Sequence, residues 1–368
     1  MKLLYLDAYS SYPLARAGGH RSGHSLLARV AQRDDWHCMT LMPKRGRGAL
    51  LPAYDPKVSD FAALGIRSFH RQSKHWIFDC GYPVWAVDEV QDSLEEVFER
   101  YQPDLVYCQS PEVLPLLREA RQRQLAAIWY IRDTRPRAED LRTADRLGVQ
   151  LIALSRFARD RIHDIAGVEA EVLHSLIEPE HYQVEPASDG RITLINPIAM
   201  KGFELFVELA AQLPQLPFLA VEAWPLGDDL ERVLERLEPL PNVHFLEQQA
   251  DMRQVYRQTR LLLVPSIVEE GGPRVAREAQ LSGIPVVGSA RGAIAEHTGA
   301  GGIILESDDP RAWAEVVQTL WTHAERYAAL KERAWHNARR EEFTVSFQIR
   351  RFVEICALAR QKAEAASN

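Results

Sequence analysis

The tightest constraint on the fold of this chain lies in residues 260–287. A short apolar run ending at Val264 reads as a buried strand. Pro265 and Ser266 break it, Glu269-Glu270-Gly271-Gly272 forms an acid- and glycine-rich loop, and Pro273 opens an Ala/Val/Arg/Glu segment that stops before Gly283 and Pro285. The order is strand, loop, helix, stop, strand. Pro273 suits a first helical position, where a backbone N–H has no partner in any case. The backbone of Gly271, Gly272, Pro273, Arg274 and Val275 then presents outward-pointing amides at the positive end of a helix, which is an anion site. Glu270 in the loop and Glu278 on the helix flank it. Anion site and acids are compatible if the ligand is a phosphorylated sugar: amides take the phosphate and carboxylates take hydroxyls.

The same rhythm runs through the rest of the chain. Residues 2–7 read as a first strand and 22–32 as a helix, with Gly18, Gly19 and His20 in the loop between them. Further strands are expected at 36–41, 104–109, 126–131 and 149–154, and helices at 87–101 and 112–121, with Ser155 opening another. Residues 184–190 carry Pro, Ser, Asp and Gly and read as a linker, after which the pattern restarts at 192–195, 218–222, 243–246, 261–264, 285–287 and 302–305. Alternating strands and helices predict doubly wound parallel sheets, and ligands of such sheets bind beyond the carboxyl ends of the strands. Gly18, Gly19, Arg132, Asp133 and Ser155 all fall at such ends. At 368 residues two α/β domains are expected, 1–186 and 191–342.

Composition narrows the function. No apolar run reaches the ~18–20 residues that span a bilayer, and Asp7 interrupts the apolar start too soon for a signal-peptide core. Cys38, Cys80, Cys108 and Cys356 show neither metal spacing nor a disulfide framework, so a reducing cytoplasm is expected. The net charge of −7 argues against nucleic acid. That charge is uneven: residues 1–75 carry +7 and the remainder −14. Lys44, Arg45, Arg47, Lys57, Arg67, Arg71 and Lys74 supply most of the excess. Solvated loops explain it as well as attraction to anionic lipid or to a phosphate-bearing acceptor does.

Glu270 and Glu278 lie eight positions apart, and their setting resembles the Glu-x7-Glu signature of retaining family 4 glycosyltransferases (glycosyl transferases group 1), which have the GT-B fold. The resemblance is sharp over residues 196–202 and 266–302. It implies two Rossmann-like domains with the active site in the cleft between them, and a last helix, 343–364, that crosses back to complete the first. By the resemblance, Glu270 meets the hydroxyls of the donor sugar and Glu278 the ribose. Gly18 and Gly19 match the family's Gly-Gly near donor phosphates and acceptor, and Lys201, followed by Gly202, matches its diphosphate lysine. A lysine at a helix N-terminus is poorly placed for the helix dipole, and a diphosphate would justify it.

Two positions depart from the family. Where it carries an arginine five residues before the lysine, this chain has Asn196, and where many members have His-Asp this chain has Arg132-Asp133. Arginine cannot act as a base, but it can donate to a sugar or phosphate oxygen and so replace charge missing at Asn196. Glu270, Lys201, Arg132 and Asp133 are therefore the catalytic candidates. The donor-binding candidates are Gly18, Gly19, Asn196, Lys201, the 271–275 loop and Glu278, and those for acceptor contact are His20 and Ser155. Base recognition is expected around residues 246–249. Glu296 matches a family glutamate with a structural or ribose-edge place. Trp76, Tyr82 and Trp85 lie where this fold takes acceptors, although core packing explains any one of them as well.

The implied activity is transfer of a sugar, with retention, from a UDP- or GDP-sugar to a carbohydrate or lipid-linked acceptor, in polysaccharide, lipopolysaccharide or glycolipid assembly. No Asp-x-Asp metal motif stands where a nucleotide would sit, so metal-independent chemistry without a further cofactor is expected. The place is the cytoplasm, with peripheral contact to the inner membrane face through the basic N-terminal domain left open. Two other readings stay open: a non-catalytic sugar-nucleotide-binding or scaffold protein, which Asn196 and Arg132 make worth carrying, and a sugar-nucleotide epimerase of the same architecture.

Overall fold

The computed structural model describes residues 1–15, 18–44, 66–72 and 75–366, so Arg45, Arg47, Lys57 and Lys74 lie outside the described residues. The chain forms two compact units, Met1–Leu176 with Val345–Asn368, and Ile177–Thr344.

In chain order the first unit runs β1 (Lys2–Leu6), α1 (Gly18–Val30), β2 (His37–Pro43), β3 (Ser68–Arg71), β4 (His75–Asp79), β5 (Pro83–Val87) and α2 (Val90–Tyr101). It continues with β6 (Leu105–Cys108), α3 (Leu114–Gln122), β7 (Ala126–Ile131), α4 (Ala138–Arg146), β8 (Gln150–Ala153), α5 (Arg156–Ala166) and β9 (Glu171–Val172). The sheet order is β3-β4-β5-β2-β1-β6-β7-β8-β9. Pairing is parallel from β5 through β9, and β3 and β4 add an antiparallel edge. Every residue of β6 and β7 is buried, because a parallel sheet covered by helices has no wet face. One core therefore lies on each side: Leu27, Tyr107 and Tyr130 on one face, and Leu41, Phe98 and Trp129 on the other.

The second unit runs β10 (Arg191–Ile195), α6 (Phe203–Gln212), β11 (Phe218–Val221), α7 (Asp229–Leu237), β12 (Val243–Leu246), α8 (Arg253–Arg257) and β13 (Thr259–Val264). It ends with α9 (Arg274–Gln280), β14 (Val286–Ser289), α10 (Ile294–Thr298), β15 (Gly302–Leu305), α11 (Pro310–Thr322) and α12 (Ala324–Asn337). Its sheet is parallel throughout, in the order β12-β11-β10-β13-β14-β15. The strand order reverses direction between β10 and β13, and at such a switch point an open α/β sheet leaves a crevice beyond its strand ends.

The last helix, α13 (Val345–Ala365), belongs to the first unit. Phe352, Ile355, Cys356 and Ala359 are fully buried in its core. The Phe352 ring meets Tyr107 edge-on at 5.5 Å, and Arg121 Nη2 donates to the Ala363 carbonyl at 2.9 Å. Among the described residues no helix is long and apolar enough to cross a membrane.

Several expected boundaries move. The first unit ends at Leu176, ten residues before the expected 186. Residues after it are part of the second core: Ile177 and Tyr182 are 4% exposed there, and Val184 N donates to Ser282 Oγ at 2.9 Å. Gly18 and Gly19 lie in the first turn of α1 and not in a loop before it. Val87 closes β5, so the next helix begins at Val90. Glu112 has a left-handed φ of 61°, which delays α3 to Leu114.

Candidate functional site

In the second unit the candidate residues gather beyond the carboxyl ends of β10 and β13. Lys201 closes a 3-10 turn, Ala199–Lys201, after β10, and Glu270 follows β13 by way of Pro265 and Ser266. Lys201 Nζ is ion-paired with Glu270 Oε1, and Ser266 Oγ donates to that same oxygen at 2.6 Å. The two side chains are 20% and 13% exposed, so the pair is shielded without being sealed. The charge that a lysine at a helix start calls for is thus supplied by Glu270.

Two glycines make this approach possible. Gly202 has φ 79°, and a Cβ there would lie 2.1 Å from the Pro265 carbonyl oxygen, so β10 and β13 can be linked this closely only without a side chain. Gly292 has φ 61°, and its Cβ would fall 2.4 Å from the Glu270 carbonyl oxygen and 2.6 Å from its nitrogen. There Glu270 forms an isolated parallel bridge with Gly292, and Ala293 N donates to the Glu270 carbonyl at 2.7 Å. Ser289 Oγ donates to the Ser266 carbonyl at 2.7 Å, tying the same loop from β14. Ser266 and Gly292 were not singled out from sequence. The contact of Gly292 with Glu270 joins residues distant in sequence and leaves no local mark.

Glu278 is placed differently from Glu270. It is 5% exposed; Tyr256 Oη donates to Oε2 at 2.7 Å and Arg274 Nε to Oε1 at 3.0 Å. Arg274 also donates from Nη2 to Tyr182 Oη at 2.9 Å. A carboxylate oxygen with one donor keeps a second lone pair, so a hydroxyl could still reach Glu278. The helix carrying it, α9, has only seven residues, and Pro273 stands at its cap position, one residue ahead of the expected place.

Asn196 is 5% exposed and holds a left-handed φ of 61°, uncommon for a residue with a Cβ. Its Oδ1 accepts from Ala223 N at 3.0 Å and Trp224 N at 2.8 Å. Through this acceptor oxygen Asn196 shapes the turn after β11. Gln248, in the segment expected to read a base, donates from Nε2 to the Ala223 carbonyl at 3.0 Å.

In the first unit the candidates stand beyond the carboxyl ends of β1, β7 and β8. Arg132 donates from Nη1 to Ser175 Oγ at 2.9 Å and from Nη2 to Gln109 Oε1 at 3.1 Å, and its guanidinium lies 3.9 Å from the Tyr130 ring centre. Exposed Asp133 accepts the Arg135 amide at 2.9 Å. Ser155 is fully buried, and its hydroxyl accepts the Ala158 amide at 3.0 Å as the cap of α5. That hydroxyl is therefore not presented for an acceptor in this structure. His20 Nδ1 lies 3.3 Å from Ser11 Oγ. Burial lowers the His20 pKa, against the opposing charge of Asp7, while Arg132 adds to the lowering. Of the aromatic candidates, Tyr82 is core, with its hydroxyl 3.0 Å from His24 Nδ1, and Trp76 lies in β4 with Lys44 Nζ 5.5 Å from its ring.

Asp7, read from sequence only as the acid that ends the first strand, is fully buried. It accepts the Tyr5 hydroxyl and, at 3.2 Å, the Tyr9 amide. Burial pushes its carboxyl above the usual value, with hydrogen bonds from Ser110 and Tyr5 and the charge of His20 opposing.

Residues 191–323 match the family model described as glycosyl transferases group 1. Within the second unit, the chain is thus similar to group 1 glycosyl transferases over residues 191–323. The resemblance drawn from Glu270 and Glu278 therefore holds. D-inositol 3-phosphate glycosyltransferase of Corynebacterium kroppenstedtii is 38% identical over 104 residues, 27% of this chain and 23% of that protein. D-inositol 3-phosphate glycosyltransferase 1 of Catenulispora acidiphila is 29% identical over 216 residues, 51% of this chain and 50% of that protein. The matches thus span between about a quarter and a half of these relatives' length. Among solved structures, HepE of Anabaena in complex with UDP and glucose superposes with a TM-score of 0.75 at 18% identity, over 96% of this chain and 98% of that one. Sucrose-phosphate synthase of Thermosynechococcus elongatus gives 0.74 at 15% identity, over 99% and 100%. These likenesses show that the two units have the GT-B fold.

Proposed function

We propose that this chain is a glycosyltransferase that moves a sugar from a nucleotide-diphosphate sugar to an acceptor hydroxyl, with retention of anomeric configuration and without a metal ion. The observation that carries the reading is the Lys201–Glu270 pair beyond the strand ends of a unit similar to group 1 glycosyl transferases. In this role Lys201 meets the diphosphate as a point charge, and Glu270, released from the lysine, accepts the hydroxyls of the sugar. The backbone of Gly271, Gly272 and Val275 adds amide donors, and Glu278 faces the ribose. These groups position the donor and offset charge developing on the leaving diphosphate, which are the larger catalytic terms. In the first unit, Gly18, Gly19, His20, Arg132 and Asp133 are the proposed contacts, with His20 nearest the acceptor in role.

UDP-glucose is the first donor to test, because HepE has been crystallised with UDP and glucose. A phosphate-bearing acceptor such as an inositol phosphate comes next, since the curated relatives carry that substrate in their names. Polysaccharide, lipopolysaccharide or glycolipid assembly in the cytoplasm is the proposed setting. Thermal unfolding of the full chain with UDP-, GDP-, ADP- and TDP-sugars tests donor binding, because a ligand of the native state raises its stability by mass action. Release of the nucleoside diphosphate on adding acceptor tests transfer. Stabilisation without release under any acceptor, water included, would favour the non-catalytic reading, and interconversion of the sugar nucleotide itself the epimerase reading.

A further inference from the structure

Six large hydrophobic side chains are exposed among the described residues, and three of them, Met200, Trp224 and Ile267, are gathered around Lys201. Met200 precedes the lysine, and its carbonyl accepts the Ile267 amide at 3.1 Å. Trp224 is 39% exposed, and its ring centre lies 5.5 Å from Lys201 Nζ. Three partly exposed apolar side chains beside a charged pair suit a ligand that brings a flat apolar face as well as a charge.

Trp224 is also held. Asn196 Oδ1 accepts both the Ala223 and Trp224 amides, and Asn196 keeps a left-handed φ to do so. On the other side of the turn Gln248 donates to the Ala223 carbonyl, and Glu222 N donates to the Leu246 carbonyl at 2.9 Å. The turn is thus fixed from β10 and from the segment after β12, with its indole 39% exposed. The left-handed region is one that Asn enters readily, so its carboxamide oxygen can hold both amides of this turn.

We propose that Trp224 is the platform on which the nucleoside base of the donor stacks, and that Asn196 is a positioning residue that holds this platform beside Lys201. The proposal rests on the reading of Lys201 as the diphosphate contact. With the diphosphate on Lys201 and the sugar toward Glu270, the base turns to the β11 side. The indole offers it a π-face there, Met200 and Ile267 offer apolar flanks, and the Gln248 amide lies within the same turn. A base has a π-face and few groups to satisfy, whereas a sugar ring would need hydroxyl partners that Met200 and Ile267 do not supply. Asn196 thereby serves the donor through the turn and not through its phosphates.

The test uses the full chain with UDP, GDP and inorganic pyrophosphate as probes in calorimetric titrations. Trp224→Ala weakens UDP or GDP binding roughly tenfold or more, the usual loss when a stacking aromatic is removed, and leaves pyrophosphate binding unchanged. Trp224→Phe keeps most of the affinity but loses the ligand-induced change in tryptophan fluorescence that the wild type shows. Asn196→Gly, which keeps the positive φ and removes the carboxamide that holds the turn, weakens UDP or GDP but not pyrophosphate. Equal weakening of nucleotide and pyrophosphate by Trp224→Ala would mean that the ring acts through Lys201, and this overturns the stacking. Undiminished nucleotide affinity in Trp224→Ala, or an unchanged fluorescence response in Trp224→Phe, also overturns it while leaving the functional reading standing. A wild-type chain that binds pyrophosphate but no nucleoside diphosphate overturns both.

Discussion

Lys201 and Glu270 neutralise one another: the ammonium donates to Glu270 Oε1, and Ser266 donates to that oxygen at 2.6 Å. A diphosphate that draws on Lys201 therefore competes with a carboxylate of the protein. Removing that carboxylate should therefore move binding and turnover in opposite directions. Glu270→Gln should lower turnover by roughly 10²–10³, the usual effect of removing a charged group that acts in the transition state. The same change should tighten UDP binding, because the lysine loses its internal partner and a negative charge leaves the site. Steady-state rates and calorimetric titration of one variant check both, and weaker UDP binding would contradict the competition.

Gly292→Ala separates steric from conformational cost. Its new Cβ falls 2.4 Å from the Glu270 carbonyl oxygen at a φ of 61°, whereas Gly167, with φ 67°, has nothing within 4 Å. An alanine at positive φ costs about 1–3 kcal/mol. Gly167→Ala should show that loss alone in thermal unfolding, with full turnover. Gly292→Ala should lose more stability and lower the rate, because the backbone carrying Glu270 has to shift.

The Tyr256–Glu278–Arg274 contacts predict an order of destabilisation. Tyr256→Phe removes the 2.7 Å donor to Glu278 Oε2 and should cost about 1–3 kcal/mol, the range for an unmet buried partner. Glu278→Ala removes the carboxylate that Arg274 Nε meets at 3.0 Å in a buried setting and should cost about 3–5 kcal/mol, the range for breaking a buried pair. Denaturant midpoints that reverse the order would show that Glu278 is not held as described.

Asp7 gives a pH dependence with a definite sign. Its carboxyl titrates above the ordinary 3.8 because it is buried. The folded chain therefore holds that proton more tightly than the unfolded one. The resulting stability is fully present below 3.8 and is lost as pH rises through the folded value. Asn is neutral throughout, so Asp7→Asn should raise the unfolding temperature relative to wild type at about pH 8, and the gain should shrink toward pH 4. A difference independent of pH would remove Asp7 from this role.

The parallel sheets were legible because their strands are continuous apolar runs. Residues 126–131 are entirely buried in β7, as their sequence requires. Glu270 and Lys201 were legible because glycine, proline and charge mark strand ends locally. Their mutual contact was not, since it joins residues 69 positions apart. Asn196 was read as a donor-binding residue because only its residue type was visible, and the Ala223 and Trp224 amides it accepts come from the neighbouring strand's loop. Residues 184–190 have the composition of a linker, yet the chain changes unit earlier, where Ile177 and Tyr182 are apolar and buried. A linker composition marks a solvated surface, which is not the same as a boundary between cores.

The placement of α13 has a consequence for how the molecule is made. Phe352, Ile355 and Cys356 fill the core of a unit whose other residues leave the ribosome first. Domains generally fold as they emerge, yet this earlier of the two units stays open along one flank of Tyr107 until α13 arrives. Meanwhile the later-born unit, Ile177–Thr344, has its whole core in hand. The first unit to be synthesised is the last to be finished, and a messenger cut short before α13 would yield a protein with an intact second unit and an unsealed first.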